Sequence, residues 1–154
     1  MLGMKRLIDV SRAIESLVPY VGGLEGAKYS VRSANGPAMH PEAEGVEIEW
    51  YSDNILQPTT EQILAAMETL KVNEGRRVVA EVRDDLISRS DWTELPSVQA
   101  SKSAEWIQAW ADYRQALRDL PNKMDSNEWE PIFDEHGMIF LHNWPINPDG
   151  TTGQ

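Results

Sequence analysis

The sequence predicts an α+β fold: a helix, a two-stranded antiparallel unit and a helix, followed by an antiparallel helical pair and a short C-terminal hairpin. In three long segments apolar residues recur at steps of three and four, the spacing of one helix face. In two short segments they alternate with polar residues, as they do along a half-buried strand. Across the 154 residues we expect a small α+β unit over 1–72, a helical unit over 73–121 and an extended segment over 122–154.

The first half of the chain supplies the opening helix and both strands. The helix is predicted over residues 4 to about 18, with Pro19 and the Gly22-Gly23 pair at its end. Residues 27–33 and 45–51 alternate like strands. The connection over residues 34–44 is too long for a tight turn, so we expect an exposed, mobile loop. The positions predicted to be buried are Leu7, Val10, Ile14 and Leu17 on the helix and Val46, Ile48 and Trp50 on the second strand.

A second helix is predicted to begin at Thr60, because Thr59 and Gln62 have the spacing of a capping box. Its pattern continues to about Ser88 across the weak point Asn73-Glu74-Gly75, which predicts one bent helix or two. The positions expected to be buried are Ile63, Met67, Leu70, Val78 or Val79, Val82 and Leu86.

A third helix is predicted from about Ser103 to Leu120, ended by Pro121. Its apolar stripe is rich in aromatic residues: Trp106, Trp110, Tyr113, Leu117 and Leu120. Trp92 and Leu95, in the preceding turn SDWTELP, are the nearest candidates to cover the start of the stripe. If Trp92 is buried there, Trp92→Ala should cost about 3 to 5 kcal/mol of stability.

The C-terminal segment is predicted to form a small hairpin, with Ile132-Phe133 and residues 138–141 around the turn Asp134–Gly137. It has too few apolar residues for a core of its own, so it must dock on something. We expect it to dock on a partner protein or a second copy of this chain; the alternative is that it folds back on its own helices. The last residues, NPDGTTGQ, are expected to be disordered.

Composition excludes several classes of function. A formal charge of -11, with no basic cluster beyond Arg76-Arg77, argues against nucleic-acid binding. The acids are dispersed among arginines, which is typical of a solvated surface and not of a DNA mimic. The absence of cysteine excludes disulfides and thiolate chemistry and fits a cytoplasmic protein. No segment has the length and apolarity of a membrane span, and the charged amino terminus does not fit a signal peptide.

Catalysis is not expected. An enzymatic interpretation would rest on His40, His136 and His142, but no carboxylate stands at an established metal-ligand interval from them. The chain also lacks a glycine-rich phosphate loop and a G-x-S-x-G elbow. We therefore predict no catalytic residue, no metal and no cofactor.

The aromatic residues of the third helix could serve either binding or core packing, and core packing is favoured for any one of them because stripes at helical spacing usually pack internally. Trp106, Trp110 and Tyr113 are either partner anchors or ordinary core. The chain has six tryptophans but only two phenylalanines, and this excess of indole N–H donors favours at least one or two tryptophans at a partly solvent-exposed surface. Arg114 and Arg118 share a helix face, where either an acidic strip of a partner or internal acids must neutralise them. The internal candidates are Asp84, Asp85 and Asp91.

The run RDDLISRSDWTELP followed by WADYRQALRDLP resembles the tail-assembly chaperone domain of tailed bacteriophages and prophages over about residues 76–121. An arginine-rich helix, a D-W-T-x-L-P turn and an A-x-Y-R-Q-x-L-R-D helix carry the resemblance. SLVPYVGGLEGAKYSV, IEWYS and PTTEQILAAMETL are similar to small phage tail proteins. Members of the family often end soon after the third helix, so Asn122–Gln154 is expected to be an addition.

The resemblance implies an assembly chaperone that binds a tail-fibre or receptor-binding protein in the host cytoplasm and assists its folding, trimerisation or attachment. It implies no catalysis. The alternative is a permanent virion adaptor or cap on a fibre or baseplate, and a second copy of this chain is a further candidate partner. The residues expected to bind the partner are Trp92, Leu95, Trp106, Trp110, Tyr113, Arg114 and Arg118.

Overall fold

A computed structural model describes residues 2–18 and 28–150 of the chain. A 3-10 turn at Asp91–Glu94 follows the second helix, and the chain forms two compact units, Leu7–Asn73 and Met1–Arg6 with Glu74–Gln154. The predicted α+β fold is confirmed, whereas the boundaries at 72 and 121 as limits of folding units stay predictions. The elements are α1 (Val10–Leu17), β1 (Tyr29–Ser33), β2 (Val46–Trp50), α2 (Thr60–Arg89), α3 (Pro96–Gln99), α4 (Ala104–Asp125), β3 (Ile132–Phe133) and β4 (Ile139–Phe140).

Helix α1 is shorter than predicted at its start. Its N-cap is Asp9, whose carboxylate accepts a hydrogen bond of 3.0 Å from the Arg12 amide, so the chain enters the helix only at Val10. Leu7 and Leu17 are exposed, while Val10 and Ile14 are fully buried. The expectation of a helix from residue 4 is wrong, because the N-cap carboxylate fixes the start and residues 2–6 pair elsewhere. The predicted end at Pro19 and Gly22-Gly23 lies outside the described residues.

Strands β1 and β2 pair antiparallel, with Val31 opposite Ile48 and Tyr29 opposite Trp50. The Tyr29 and Trp50 rings stack with their centroids 5.6 Å apart. As predicted, Val46, Ile48 and Trp50 pack on one core, whose fully buried members include Ile14 and Ile63. This small sheet is therefore backed by helices, as a two-stranded sheet requires.

The connection over residues 34–44 is not the wholly exposed loop that was predicted. Ala38 and Pro41 are buried. The Ala38 carbonyl accepts a hydrogen bond of 2.8 Å from the Val10 amide, which would otherwise lack a partner at the start of α1. The loop is long because it reaches this helix end.

Helix α2 begins with the predicted capping box. The Gln62 amide donates to the Thr59 hydroxyl at 3.2 Å, and the Thr59 amide donates to the Gln62 side chain at 2.9 Å. The helix then continues unbroken through Gly75 to Arg89. Its first half supplies Ile63 and Met67 to the core of the Leu7–Asn73 unit, and its second half supplies the predicted Val78, Val79, Val82 and Leu86 to the other unit.

Glu74 continues the helix where a break was expected. It is 8% exposed, and its carboxylate accepts hydrogen bonds from Arg77 Nε and Nη2 at 3.0 and 2.9 Å and from the Arg6 amide. A further Arg77 bond, of 2.9 Å, reaches the Met4 carbonyl. Glu74 and Arg77 thus tie the amino-terminal residues to α2.

This network predicts an acid sensitivity. The hydrogen bonds from Arg77, helped by the Arg6 amide and opposed by burial, hold the pKa of Glu74 below its ordinary value of 4.5. A carboxylate whose folded pKa is lowered stabilises the protein above its unfolded pKa and loses that contribution as pH falls through the folded pKa. We expect wild type to exceed Glu74→Gln in free energy of unfolding at neutral pH, with the difference shrinking below pH 4.5. Urea unfolding of both proteins from neutral pH to below pH 4.5 measures this difference in free energy of unfolding. A difference that stays constant with pH would contradict the prediction.

Helices α2 and α4 form the predicted antiparallel pair. Arg76 contacts Asp125 at 2.7 Å, and Arg114 Nη1 donates to the Ile87 carbonyl at 2.8 Å, so the middle of α2 lies beside the end of α4 and the end of α2 beside the middle of α4. The predicted helix end at Pro121 is wrong, because α4 continues to Asp125. Met124 packs against the core, and this packing offsets the hydrogen bond that a proline removes.

The C-terminal hairpin forms as predicted but docks on the chain's own helices. Asp134 accepts backbone hydrogen bonds from His136 and Met138 at 2.9 and 2.8 Å, which shapes the turn. Ile139 and Trp144 are buried in the α2–α4 core. The expected docking on a partner or second copy is therefore wrong for these side chains, because α2 and α4 leave apolar surface that the segment covers.

Candidate functional site

Four aromatic rings meet where α2 turns into α4. The Trp92 ring lies 5.8 Å from Trp106 and 5.7 Å from Trp110, measured between centroids. Trp106 and Trp110 are 5.9 Å apart, and Trp110 meets Tyr113 edge-on at 5.7 Å. These distances fall in the range of favourable tilted and edge-to-face pairs. The predicted contact between Trp92 and the start of the stripe is thus confirmed.

The cluster is buried on one side and open on the other. Trp110 and Tyr113 are 5% and 7% exposed, and burial raises the pKa of the Tyr113 hydroxyl. Trp106 is half-buried, whereas Trp92 is 44% and Leu95 51% exposed. Trp92 thus contacts Trp106 and Trp110 without being buried, so the condition for a stability loss of about 3 to 5 kcal/mol in Trp92→Ala is not met.

Local hydrogen bonds hold the turn that carries Trp92. The Ser90 hydroxyl donates to the Ile87 carbonyl, and the Thr93 hydroxyl donates to the Ser90 carbonyl, both at 2.7 Å. Thr93 is buried, so the turn is anchored on its inner side. The Ser103 side chain accepts from the Trp106 amide at 3.2 Å and caps α4. The exposed rings therefore stand on a fixed backbone.

Arg114 joins α4 to this turn. It is 3% exposed, and its guanidinium donates to the Ile87 carbonyl at 2.8 Å and to the Ser90 hydroxyl at 2.6 Å. It also pairs with Asp91 at 2.9 Å and Glu94 at 3.1 Å. The side chains of Asp91 and Glu94 are more than half exposed and face water, whereas the Arg114 side chain that they contact is buried.

This arrangement confirms the internal alternative for Arg114. Of the acids considered, Asp91 reaches it, while Asp84 pairs with Arg83 and Asp85 with Arg89. Sequence reasoning missed Glu94, although its spacing of three from Asp91 could have placed both carboxylates on one side of a helical turn. Arg118 is exposed and has no ion pair within the described part of the chain.

The rim of the aromatic surface carries both signs of charge. Lys102 Nζ lies 5.2 Å from the centroid of Trp106. Asp91 and Glu94 present the outer oxygens of their carboxylates beside Trp92 along the chain. A partner that covers Trp92, Leu95 and Trp106 would thus meet an apolar centre with a polar rim, the usual layout of a protein interface.

The three histidines are distributed over the two units. His40 accepts from the Glu42 amide in the Leu7–Asn73 unit, whereas His136 and His142 are exposed in the other unit. Residues 2–18 and 28–150 contain no group of three His, Cys, Asp or Glu side chains placed to hold a metal ion. Within the same residues, no helix has the length and apolarity needed to cross a membrane.

Comparison with known proteins adds one match. Residues 76–149 match the family described as phage tail assembly chaperone protein. No curated protein and no solved structure matches the chain significantly. The family match extends past the third helix to residue 149, which corrects the expectation that Asn122–Gln154 is an addition to the family pattern. It covers the second half of α2, the aromatic cluster, α4 and the hairpin, so this part of the chain is similar to the phage tail assembly chaperone family.

Proposed function

We propose that the chain binds a phage tail-fibre or receptor-binding protein and assists its folding, trimerisation or attachment in the host cell during tail assembly. The match of residues 76–149 to the tail assembly chaperone family supports a tail protein as the partner. Among tail proteins, the fibre protein is the partner suggested by the resemblance of the D-W-T-x-L-P turn and of the helix that carries Trp106 and Trp110.

One observation carries the proposal: Trp92, Leu95 and Trp106 present apolar surface to solvent on a rigid base. Trp92 and Leu95 are 44% and 51% exposed, whereas Trp110, which Trp92 contacts, and Tyr113 are buried. Aromatic side chains held in place before binding make strong interface anchors, because little conformational entropy is lost on association. The proposed binding residues are therefore Trp92, Leu95 and Trp106, and Trp110, Tyr113 and Arg114 position them.

We propose that this role involves no catalysis. The use of Asp91 and Glu94 in holding Arg114 supports this view. A binding role needs only the exposed aromatic surface and its rim.

Trp92→Ala tests the binding surface. The substitution should lower the free energy of unfolding by only about 1 to 2 kcal/mol, since the side chain is partly exposed. It should weaken the complex with the phage's own fibre protein by at least about tenfold, because an interface anchor typically contributes more than 1 kcal/mol. Gel filtration of the co-expressed proteins, and titration of purified ones, measure the complex.

The matched control is Tyr51→Ala, which removes another exposed aromatic side chain, 56% exposed, from the Leu7–Asn73 unit. It should leave fibre binding unchanged. Separate elution of wild-type protein and fibre would contradict the proposed function. Equal losses of binding in both variants would remove the assignment to Trp92.

A chaperone and a permanent adaptor would differ in what happens after the chain has bound the fibre. If the chain is a chaperone, the fibre expressed alone should be insoluble or should fail to trimerise, and purified virions should lack this chain. A fibre that trimerises equally well alone, with this chain found by mass spectrometry in virions, would establish the adaptor instead.

A further inference from the structure

A third segment of the chain, residues 3–5, pairs with the C-terminal hairpin next to β4. Ile132 pairs with Phe140, and Phe133 pairs with Ile139. On the other side of β4, Met4 bridges to Met138, the Lys5 amide donates to the Gly137 carbonyl at 2.9 Å, and the Ile139 amide donates to the Gly3 carbonyl at 2.8 Å. Residues 3–5, β4 and β3 thus form one narrow sheet within a single compact unit.

The two faces of this sheet have different environments. Phe133 and Ile139 point to the core formed with α2 and α4. Side chains alternate along a strand, so Ile132, Met138 and Phe140 point the opposite way. Ile132 is 41% and Phe140 45% exposed, and Met4 is 38% exposed. We call this set, Met4, Ile132, Met138 and Phe140, the outer face.

The outer face lies outside the two cores, although its Phe140 ring meets the His142 ring at 5.8 Å between centroids. None of its four side chains belongs to either core cluster of the described residues. Ile132 and Phe140 are directly opposed, so their exposed surfaces are contiguous. Two methionines give the face an adaptable side-chain surface that can fit an apolar partner.

The charge around the face indicates the kind of partner. Residues 126–150 contain no lysine or arginine, and their acids are Glu128, Glu130, Asp134, Glu135 and Asp149. The amino-terminal segment adds two cations, Arg6 and Lys5, and the Lys5 ammonium lies 3.8 Å from the centroid of the core-facing Phe133 ring, so acids outnumber cations in these two segments. The whole chain carries a formal charge of -11. A second copy would bring like charges together, whereas Lys or Arg side chains around an apolar patch would complement the acids.

We propose that the outer face is a second docking surface for the tail-fibre protein and takes an apolar patch bordered by lysine or arginine. The choice of the fibre as the occupant rests on the proposed function. The outer face shares no residue with Trp92, Leu95 and Trp106, so the fibre is held at two separate apolar surfaces. Such two-point binding resists release more strongly than either contact alone.

The test uses the full chain and the purified fibre protein, with dissociation constants measured at low and high salt. Phe140→Ser and, as a second variant at the paired position, Ile132→Ser should each weaken binding by about tenfold, with melting temperatures near wild type. Leu56→Ser, at a side chain 92% exposed in the other unit, is the control and should bind normally. Glu130→Lys should weaken binding at low salt and have less effect at high salt.

Three results would overturn the inference. Normal binding by both serine variants, while Trp92→Ala loses binding, would leave the proposed function intact and remove only the second surface. A dimer of the chain alone that Phe140→Ser dissociates, in ultracentrifugation, would assign the face to a second copy. A wild-type protein with no affinity for the fibre would reject the proposed function and this occupant together.

Discussion

A chain that ends after Asp125 should lose the cooperative unfolding of the unit that contains α4. The truncation removes Ile139 and Trp144, which are 9% and 4% exposed, and also Phe133, which packs against the same core. Losing one large buried side chain costs about 2 to 5 kcal/mol. A typical domain has a free energy of unfolding of about 5 to 15 kcal/mol, so two such losses remove a large part of it. Thermal melting followed by near-ultraviolet circular dichroism measures the loss.

Two substitutions within residues 126–150 test whether the truncation acts by removing core side chains or only by shortening the chain. Trp144→Ala should lower the free energy of unfolding by about 3 to 5 kcal/mol, since its ring is buried and meets Trp129 edge-on. Ile146→Ser, at a side chain 63% exposed, should change it by less than about 0.5 kcal/mol. A truncated protein with the wild-type melting temperature would show that residues 126–150 are not part of the core.

Replacement of Arg114 by methionine should give the second large effect, a loss of about 2 to 4 kcal/mol. The change removes charged hydrogen bonds to the buried Ser90 hydroxyl and to the Ile87 carbonyl. Its ion pairs with Asp91 and Glu94 add less, because those carboxylates regain water. Urea unfolding measures the loss, and weaker fibre binding should accompany it because the turn that carries Trp92 loses its anchor.

Arg118→Met is the matched control, one helical turn further along α4. Arg118 is exposed, so its replacement should change the free energy of unfolding by less than about 0.5 kcal/mol. Arg114→Lys should recover little, because a single ammonium group cannot reach the several acceptors that the guanidinium contacts. Equal effects at positions 114 and 118 would mean that the buried hydrogen bonds do not stabilise the turn.

Local patterns predicted much of the fold. The capping box at Thr59 and Gln62 set the start of α2, since both hydrogen bonds lie within three residues. Alternation placed Val46, Ile48 and Trp50 on one face of β2, and helical spacing placed Trp110 and Leu117 in the core. Each of these features depends on neighbours along the chain, so sequence spacing is sufficient to find them.

Other features depend on contacts between distant residues. Helix α4 passes Pro121 because Met124 packs against the core. Met4 and Lys5 leave the predicted helix because Met138 and Gly137, next to β4, offer them backbone partners. The hairpin turns inward because α2 and α4 leave apolar surface uncovered. Glu94 joins Asp91 on Arg114 for a similar reason, since the 3-10 turn brings both acids to one guanidinium.

The sequence by itself determined the presence of the three longest helices, the first strand pair, the resemblance to the tail assembly chaperone family and the aromatic residues of the candidate site. Only the tertiary structure decided which of those residues reach solvent. Trp110 and Tyr113 share the stripe of Trp106, yet they are buried, while Trp92 and Leu95 remain open. Periodicity specifies the face of a helix on which a side chain lies, whereas its exposure depends on how much of that face the rest of the chain covers.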